Sequence, residues 1–416
     1  MPVLLAMMLA LAMPARDAAA FLTPQARQQL DMSRFRVTDP DASFLDVKQR
    51  HALLAKVDDP QLVELRNRLK MQVSCAASRQ QPVIAEPIWL PSYYDEPRRW
   101  RFVAGPLLDF EERMSRLAGA WVASGDAYYA RCLADILVQW AQADALYDFR
   151  FDTMRPQAWY AIESMIFSAA LAYSTVTGSP ALDARSRQRI DRWLNRIARN
   201  HYAKKGVLPS CCNNHFYRRS LYMSIVGVVT DDDAMFQQGL RGVFSALHDI
   251  DERGAFQLAM KRGWRAIHYQ NYSLLYLVTI MQVAYRQGYD LFSESVNGRD
   301  MSDAVDFLLR SLAAPYALED LPPGEQDLSF TDDPQYFSWM EIWLAHFEHE
   351  DLERFVELYR PVFNRGAGGH LTLLFKEPEQ PGGFNIRELA SAHTHRLSSV
   401  QTGAHHPNLE KWRRLR

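Results

Sequence analysis

The sequence predicts an all-α protein built from helical hairpins. From about Pro106 onward, apolar residues recur at alternating spacings of three and four, which is the pattern of amphipathic helices, whereas strand-like alternation is scarce. Turn signals separate these stretches at the intervals expected of helical hairpins. The 416 residues are 48% hydrophobic and 12% aromatic, which is enough to bury a large core.

The predicted helices follow one another along the chain, each bounded by a turn. The first ends at Ser124-Gly125, because glycine commonly follows a helix. Its apolar positions are Leu107, Phe110, Met114, Leu117 and Trp121. Two further helices have apolar positions at Leu133, Ile136, Leu137, Trp140 and Ala141, and at Ile190, Trp193, Leu194 and Ile197. Turns are predicted at Gly178-Ser179-Pro180, Asp231-Asp232-Asp233 and Gly298-Arg299-Asp300.

One helical domain is the simplest interpretation of this pattern. No repeat of fixed period and no break in composition divides residues 106–350. We expect the domain to span residues 21–376 and to carry any catalytic site. Carbohydrate-active enzymes often close helical hairpins into a ring of inner and outer helices, so by analogy we expect an (α/α) toroid.

Residues 1–20 have the features of a secretory signal peptide. The apolar run from Pro2 to Met13 is too short to cross a membrane, and Ala18 and Ala20 form an A-x-A cleavage site before Phe21. No Lys or Arg precedes the run, so the true start could lie upstream or at another methionine. We expect export rather than a buried N-terminal helix, and no membrane insertion by any later segment.

Charge and cysteine content restrict the partners and the compartment. The formal charge of −2 gives no overall field that would hold the protein on nucleic acid or anionic lipid, so recognition of a polyanion must be local. Export would permit disulfides, and the four cysteines allow two bridges.

The C-terminal segment, residues 377–416, is polar and rich in turn residues. We expect it to be a mobile tail. Its histidines, at 393, 395, 405 and 406, match no metal-ligand spacing, so solvated side chains are favoured over a metal site.

Reactive groups are concentrated in the segment from Ser210 to His215. Adjacent cysteines lie about 3.8 Å apart at Cα, so a vicinal disulfide between Cys211 and Cys212 would be strained and would stiffen the turn that carries His215. In the alternative interpretation, Asn213 and Asn214 cap a helix and the cysteines are small buried hydrophobes.

A second segment favours the functional interpretation. Arg262, Arg265, Tyr269 and Tyr272 are spaced three, four and three, so in a helix they would share an arc of roughly 80°. Leucines follow them closely, which indicates that this polar face looks into a cleft.

Together the two segments suit cleavage of a 4-O-linked polyuronate by β-elimination. The proton at C5 is barely acidic while the adjacent carboxylate is charged, so Asn214, His215 and Arg262 would have to neutralise that carboxylate. Tyr269 could remove the proton if Arg262 lowers its pKa from about 10, and could return it to the departing O4. No metal, nucleotide or redox cofactor is expected.

The chain resembles the alginate lyases of polysaccharide lyase family five. The resemblance is carried by Cys-Cys-Asn-Asn-His at 211–215, by residues 262–272 and by the segment from Asp39 to Lys48, and it runs from about residue 37 to residue 376. It implies a metal-free α/α toroid that acts on a mannuronate-rich acidic polysaccharide in the bacterial periplasm. We further expect a monomer.

The resemblance also implies individual roles. Tyr269 would be the catalytic acid and base, and His215, Asn214 and Arg262 would neutralise the carboxylate. Family members pair cysteines at the positions of Cys75 and Cys132 and at those of Cys211 and Cys212.

The sequence departs from the family pattern at positions other than these proposed catalytic residues. Family members carry Trp where this chain has Arg218 and an acidic residue where it has Ala259, and the lid residues expected near 90–101 are not clearly reproduced. Polyglucuronate therefore competes with alginate as the substrate. The candidate substrate-binding residues are Arg265, Tyr272, Arg218, Tyr217, His268 and Trp159. Trp159 and Tyr217 could stack on sugar rings, although aromatic residues at helical spacing more often belong to the core, and His268 could line the cleft or simply pack.

Two other functions stay open at this point. An inverting glycoside hydrolase would need two carboxylates about 6.5–9.5 Å apart, for which Glu163 and Asp327 are the candidates. A polyuronate-binding protein without catalysis would fit the changes at Arg218 and Ala259.

Overall fold

The computed structural model describes residues 21–206, 208–315, 325–378 and 407–415. These residues form α-helices, short 3-10 helices and a few isolated bridges, and no β-strand occurs among them. The predicted signal peptide at 1–20 lies outside the described residues.

The α-helices are numbered here in chain order. They are α1 (Pro24–Gln28), α2 (Val47–Lys56), α3 (Pro60–Gln72), α4 (Cys75–Arg79), α5 (Pro97–Ser124), α6 (Ala127–Gln142), α7 (Gln157–Ser174), α8 (Ala184–Tyr202), α9 (Asn214–Val229), α10 (Asp233–Asp249), α11 (Gln257–Met260), α12 (Ala266–Arg286), α13 (Met301–Ala313), α14 (Trp339–Leu344), α15 (Glu350–Glu357), α16 (Leu371–Phe375) and α17 (Pro407–Leu415).

Alternate helices form the inner and outer walls of a ring. The inner helices α5, α7, α9, α12, α14 and α16 pack side by side in that order, and α16 returns to α5. The outer helices α6, α8 and α10 each pack against the two inner helices that they join. This arrangement confirms the predicted (α/α) toroid.

The composition of each helix sets its layer. Nearly every side chain of α9 is buried, as expected for a helix in contact with neighbours on all sides. In α8 only one stripe is buried, around Trp193 and Ile197, while arginines cover the opposite face. The inner–outer pair α9 and α10 approaches closely because Gly227 and Gly239 carry no Cβ, which would lie 2.4 Å from a backbone nitrogen of the facing helix.

Contacts between distant segments hold the ring closed. The Arg50 guanidinium donates to the carbonyls of Leu373 and Lys376, at 2.6 and 2.7 Å, and the Lys376 ammonium pairs with the buried Asp59. Cys75 and Cys132 form a disulfide that fastens α4 to α6. That bridge is the pairing that the family resemblance implied.

The prediction of a mobile C-terminal tail is wrong for residues 407–415. Leu409 and Trp412, three residues apart, share one face of α17, are fully buried and pack on α15, where the Trp412 ring lies 5.2 Å from the ring of Phe355. The tail histidines lie outside the described residues. Among the described helices, none is long and apolar enough to cross a membrane.

Candidate active site

The inner helices begin at one end of the ring, and the predicted site lies there. Helix α9 starts with Asn214 and His215, and Tyr269 lies in the first turn of α12. Asn214 and Tyr269 line the same small cavity. Because the N-terminus of a helix carries a partial positive charge, this end of the ring favours an anionic ligand.

In the turn that precedes α9, the vicinal disulfide of one interpretation and the asparagine cap of the other are both present. Cys211 and Cys212 form the vicinal disulfide, with their Cα atoms 3.8 Å apart. Asn213 caps α9, because its side-chain oxygen accepts a hydrogen bond from the His215 amide at 3.0 Å. The cap and the disulfide together fix the backbone on which Asn214 and His215 are mounted.

His215 is held from two sides. Its ring stacks on Tyr160 at a centroid distance of 3.6 Å, and its Nδ1 lies 3.1 Å from the carboxylate of Glu163. Burial lowers the pKa of His215, although Glu163 opposes that shift. The neutral imidazole therefore donates its Nδ1 proton to Glu163 and leaves Nε2 for the cleft.

Glu163 is completely buried at the centre of a charge network. Besides His215, it pairs with Arg218 at 3.0 Å and with Arg219 at 3.0 Å. Burial opposes its ionisation, yet these three partners lower the pKa of Glu163 to about 2. Because Glu163 is sealed from solvent, it can neither protonate a glycosidic oxygen nor activate a water, so the hydrolase role considered for Glu163 is excluded.

Arg218 lies beneath the site and is almost fully buried. Its guanidinium also donates to the Tyr160 carbonyl at 2.8 Å and to the Tyr272 hydroxyl at 3.2 Å. Protein groups already engage this side chain in the substrate-free protein, and a contact of Arg218 with substrate stays a prediction. Sequence reasoning assigned no role to the neighbouring Arg219, which also pairs with Glu163.

Tyr269 forms the other side of the site. Its hydroxyl accepts a hydrogen bond from Arg262 at 2.5 Å and lies 2.9 Å from the hydroxyl of Tyr94, and the Arg262 guanidinium lies 4.0 Å from the centre of its ring. Burial and the contact with Tyr94 raise the pKa of Tyr269, and Arg262 offsets them only in part. In the substrate-free protein the pKa of Tyr269 therefore lies above its ordinary value and the phenol is neutral, so Arg262 alone does not meet the condition that the base role requires.

Arg262 reaches Tyr269 by a route that helical spacing did not predict. Gly263 has a φ of +60°, in the left-handed region, and residues 263–265 form a 3-10 turn before α12 begins at Ala266. Arg262 therefore precedes the helix and folds back over it. The predicted pairing of Arg262 with Tyr269 is present, but the continuous helix behind the prediction is not.

Exposed aromatic and basic groups surround the entrance. Arg265 lies between two rings, 4.8 Å from the centre of Tyr94 and 4.2 Å from that of Trp264, and its guanidinium is 3.4 Å from Asp327. Tyr94 belongs to the segment just before α5 where a lid was expected. The only sequence signal for a role of Tyr94 is that it forms an aromatic pair with the adjacent Tyr93. That pair does not predict the contact of Tyr94 with Tyr269.

The remaining candidates divide between the cleft wall and the core. His268 packs among Phe330, Tyr336 and Tyr272, and burial lowers its pKa to about 4. Trp159 is 1% exposed and donates to the His201 carbonyl, and Tyr217 is 2% exposed. Trp159 lies too deep to stack on a sugar ring, so its assignment to substrate binding is corrected to a structural role. Tyr217 lines the same small cavity as Asn214 and Tyr269, so its contact with substrate stays a prediction.

The described residues contain no group of three or more His, Cys, Asp or Glu side chains that could hold a metal ion. The site instead brings together a phenol, an imidazole, an amide and a guanidinium at helix N-termini. Such a set can hold an anion and move a proton.

Comparison with known proteins agrees with this chemistry. A family model described as alginate lyase matches residues 91–317, which is more than half of the chain. A polysaccharide lyase of Stenotrophomonas maltophilia is 31% identical over 205 residues, which cover 49% of this chain and 60% of that protein. An alginate lyase of Azotobacter chroococcum is 26% identical over 289 residues, with coverage of 68% and 77%.

Solved structures extend the likeness to most of the ring. Alginate lyase A1-III from Sphingomonas species A1 superposes with a TM-score of 0.75 at 32% identity, over 83% of this chain and 99% of that one. A histidine-to-alanine variant of A1-III in complex with a tetrasaccharide gives a TM-score of 0.77 at 31% identity, over 85% and 100%. The chain therefore belongs to the alginate lyase family, polysaccharide lyase family five.

Proposed function

We propose that this protein cleaves alginate by β-elimination, prefers mannuronate-rich stretches and leaves 4,5-unsaturated uronate ends. The observation that carries the proposal is the cavity shared by Asn214 and Tyr269, with Arg262 on the Tyr269 hydroxyl. We further propose that it acts in the periplasm, as the first 20 residues suggest.

The substrate carboxylate would lie at the start of α9. The Asn214 amide and the Arg262 guanidinium can donate hydrogen bonds to it, and the helix N-terminus adds a partial positive charge. The negative charge of the substrate carboxylate would favour the protonated form of His215. Binding should therefore draw a proton onto Nε2, which then becomes a further hydrogen-bond donor. Neutralised in this way, the carboxylate can accept the charge that develops when C5 loses its proton.

Tyr269 would take that proton. Burial and the Tyr94 hydroxyl both raise the pKa of Tyr269, and substrate entering the cleft would displace the Tyr94 hydroxyl while Arg262 stays in contact. The ionised form of Tyr269 would then become accessible, and the same oxygen could protonate the departing O4.

This double role of one side chain restricts the substrate. It requires the C5 proton and O4 to lie on the same face of the sugar, as they do in mannuronate and glucuronate. Guluronate, the C5 epimer of mannuronate, presents its proton on the opposite face. Mannuronate and glucuronate differ only at C2, so polyglucuronate is the closest competitor, and the names of the relatives favour alginate.

Two solved variants of A1-III bear on these roles. Its histidine-to-alanine and tyrosine-to-phenylalanine variants were both obtained in complex with a tetrasaccharide. Stable complexes of this kind are expected when the replaced residue is needed for the chemical step, which supports assigning that step to His215 and Tyr269 here.

The test is the ultraviolet absorbance of unsaturated uronate after incubation with mannuronate-rich, guluronate-rich and glucuronate polymers. We expect the fastest rise with the mannuronate-rich polymer and none with Tyr269→Phe. Full activity of that variant would refute the assignment of the base. Tight binding of the polymers with no product over a broad pH range would instead support a binding protein without catalysis.

A further inference from the structure

A row of arginines covers the solvent face of α8, on the outside of the ring. Spacings of four, three, four and three place them on one side of the helix. We call this row the arginine stripe, and it consists of Arg185, Arg189, Arg192, Arg196 and Arg199. It lies outside the cleft described above, and the proposed reaction does not use it.

The stripe carries unbalanced positive charge. Arg196 pairs with Asp144 and Arg199 with Asp232. For the other three arginines no ion pair occurs within the described parts of the chain. The nearby carboxylate of Asp191 already accepts a hydrogen bond from the Tyr173 hydroxyl at 2.7 Å. In a protein with a formal charge of −2, this is a local concentration of cations.

A groove of about 570 Å³ runs beside the stripe and contains an aromatic platform. Arg192, Arg196 and Arg199 line it together with the carboxylate of Asp191 and with Tyr147, which is 37% exposed and whose ring lies 4.2 Å from the Arg196 guanidinium. The groove therefore offers cations for carboxylates and a ring face on which a pyranose can stack.

Hydrogen bonds to α8 hold this platform in place. The Asn200 amide donates to the Tyr147 carbonyl and the Trp193 indole donates to the Ala145 carbonyl, both at 2.8 Å. The loop that carries Tyr147 is thus fixed before any ligand arrives, which reduces the entropic cost of binding.

The spacing of the stripe matches a uronate polymer. Successive arginines lie about one helical turn apart, and the rise of about 5.4 Å per turn is close to the length of a 1,4-linked pyranose unit. Each such unit of a polyuronate carries one carboxylate. A nucleic acid is less well matched, because proteins that bind it usually carry a strongly basic domain.

We propose that the arginine stripe and its groove form an auxiliary polyuronate-binding site that holds the polymer outside the cleft. The proposal rests on the proposed function, which supplies the ligand class. Helix α8 ends at Tyr202 and α9 begins at Asn214, at the end of the ring where the cleft opens. A polymer bound along the stripe can therefore continue toward the cleft.

The experiment compares two triple variants of equal charge. Arg185→Gln/Arg189→Gln/Arg192→Gln removes the stripe cations for which no ion pair occurs in the described residues. Lys48→Gln/Lys56→Gln/Arg131→Gln removes three exposed cations from other helices. We expect the stripe variant to raise KM for long polymannuronate by about three- to tenfold, the range for the loss of a few exposed charge pairs. Its kcat, its KM for a tetrasaccharide and both constants of the control variant should not change.

Calorimetric binding of long polymannuronate, measured in the Tyr269→Phe background at low and high salt, separates this proposal from the proposed function. Loss of a salt-sensitive component in the stripe variant alone would support the stripe even if no polymer were cleaved. Cleavage with equal polymer KM and equal binding in both triple variants would overturn it. It would also be overturned if single-stranded DNA of equal length bound the stripe as tightly, since the site would then serve another polyanion.

Discussion

Glu163 determines how His215 can act, although it never meets the substrate. The imidazole could rotate or change tautomer if nothing engaged Nδ1, and the ionised carboxylate at 3.1 Å prevents both. Arg218 and Arg219 keep that carboxylate charged. Glu163 is therefore a positioning residue, and its effect should be measurable through His215.

Glu163→Gln should lower kcat/KM by about 10- to 100-fold, by analogy with the loss of a carboxylate that orients a metal-bound histidine. Glu163 raises the pKa of His215, so its loss lowers that pKa further. Since the proposed mechanism uses protonated His215 to neutralise the substrate carboxylate, the pH at which KM begins to rise should shift downward. Steady-state kinetics from pH 5 to 9 would measure both effects.

The matched control for that variant is Glu341→Gln. Glu341 is also buried and ion-paired, to Arg360 at 2.9 Å, and its other partner is the Thr372 hydroxyl. Both variants should lose stability, because each leaves buried cations without their carboxylate. An unshifted pH profile in Glu163→Gln, with a loss of activity no greater than in the control, would reduce Glu163 to a structural residue.

Tyr94 provides a second prediction at the level of single residues. Its hydroxyl raises the pKa of Tyr269, so Tyr94→Phe should lower that pKa. The base works in its ionised form, which accumulates as the pH rises through the pKa. The alkaline rise of kcat/KM should therefore begin at a lower pH in Tyr94→Phe, as measured by the pH–rate profile of the free enzyme.

Tyr93→Phe is the control for Tyr94, because the Tyr93 ring packs on Trp100 and Tyr94 while its hydroxyl makes no hydrogen bond within the described part of the chain. It should leave the pH profile in place. If the two variants behaved alike, Tyr94 would have no influence on the base.

Among the elements, the turn from Leu208 to His215 supports the chemistry without taking part in it. Cys211→Ser/Cys212→Ser keeps Asn214 and His215 but releases the stiffened backbone before α9. We expect kcat to fall several-fold with little change in thermal stability, because the vicinal bridge closes no chain loop that could stabilise the fold. Reduction of the wild type should lower kcat to the same extent, and any loss of thermal stability on reduction should come from the bridge between Cys75 and Cys132.

The other disulfide gives the opposite expectation. Cys75 and Cys132 are 57 residues apart in sequence, so their bridge restricts the unfolded chain, and Cys75→Ser/Cys132→Ser should cost about 2–5 kcal/mol of stability. Its kcat below the unfolding transition should be that of the wild type. Equal activity of the two double variants would mean that stiffness at the turn does not matter.

The elements also show what could be predicted from sequence. Asn214 and His215 were recognisable because they adjoin a helix start in one continuous segment. The contact of Tyr94 with Tyr269 joins residues 175 positions apart and depends on where the segment before α5 lies relative to the start of α12, which no local pattern records. The left-handed Gly263 likewise changed the geometry around Arg262 without changing which residues meet.

For the whole molecule, hydrophobic periodicity predicted the helices but not the closure of the ring. Closure depends on single long-range contacts, such as those of Arg50 with the carbonyls of Leu373 and Lys376. The same limit explains the error at the C-terminus, where polar composition favoured a mobile tail. A helix of nine residues that buries only two large side chains gives too weak a periodic signal to outweigh that composition.

That short helix supplies the prediction for the molecule as a whole. Trp412 is 1% exposed and packs edge-on against Phe355, so Trp412→Ala should lose most of that burial and destabilise the fold by about 3–5 kcal/mol. Because α17 packs on α15 rather than on the helices that carry the cleft, kcat/KM should stay at the wild-type value below the unfolding transition. Urea unfolding and lyase assays on one preparation would test both. A wild-type midpoint would mean that α17 does not pack on α15 in solution, and lost activity with an unchanged midpoint would link this end of the chain to the cleft.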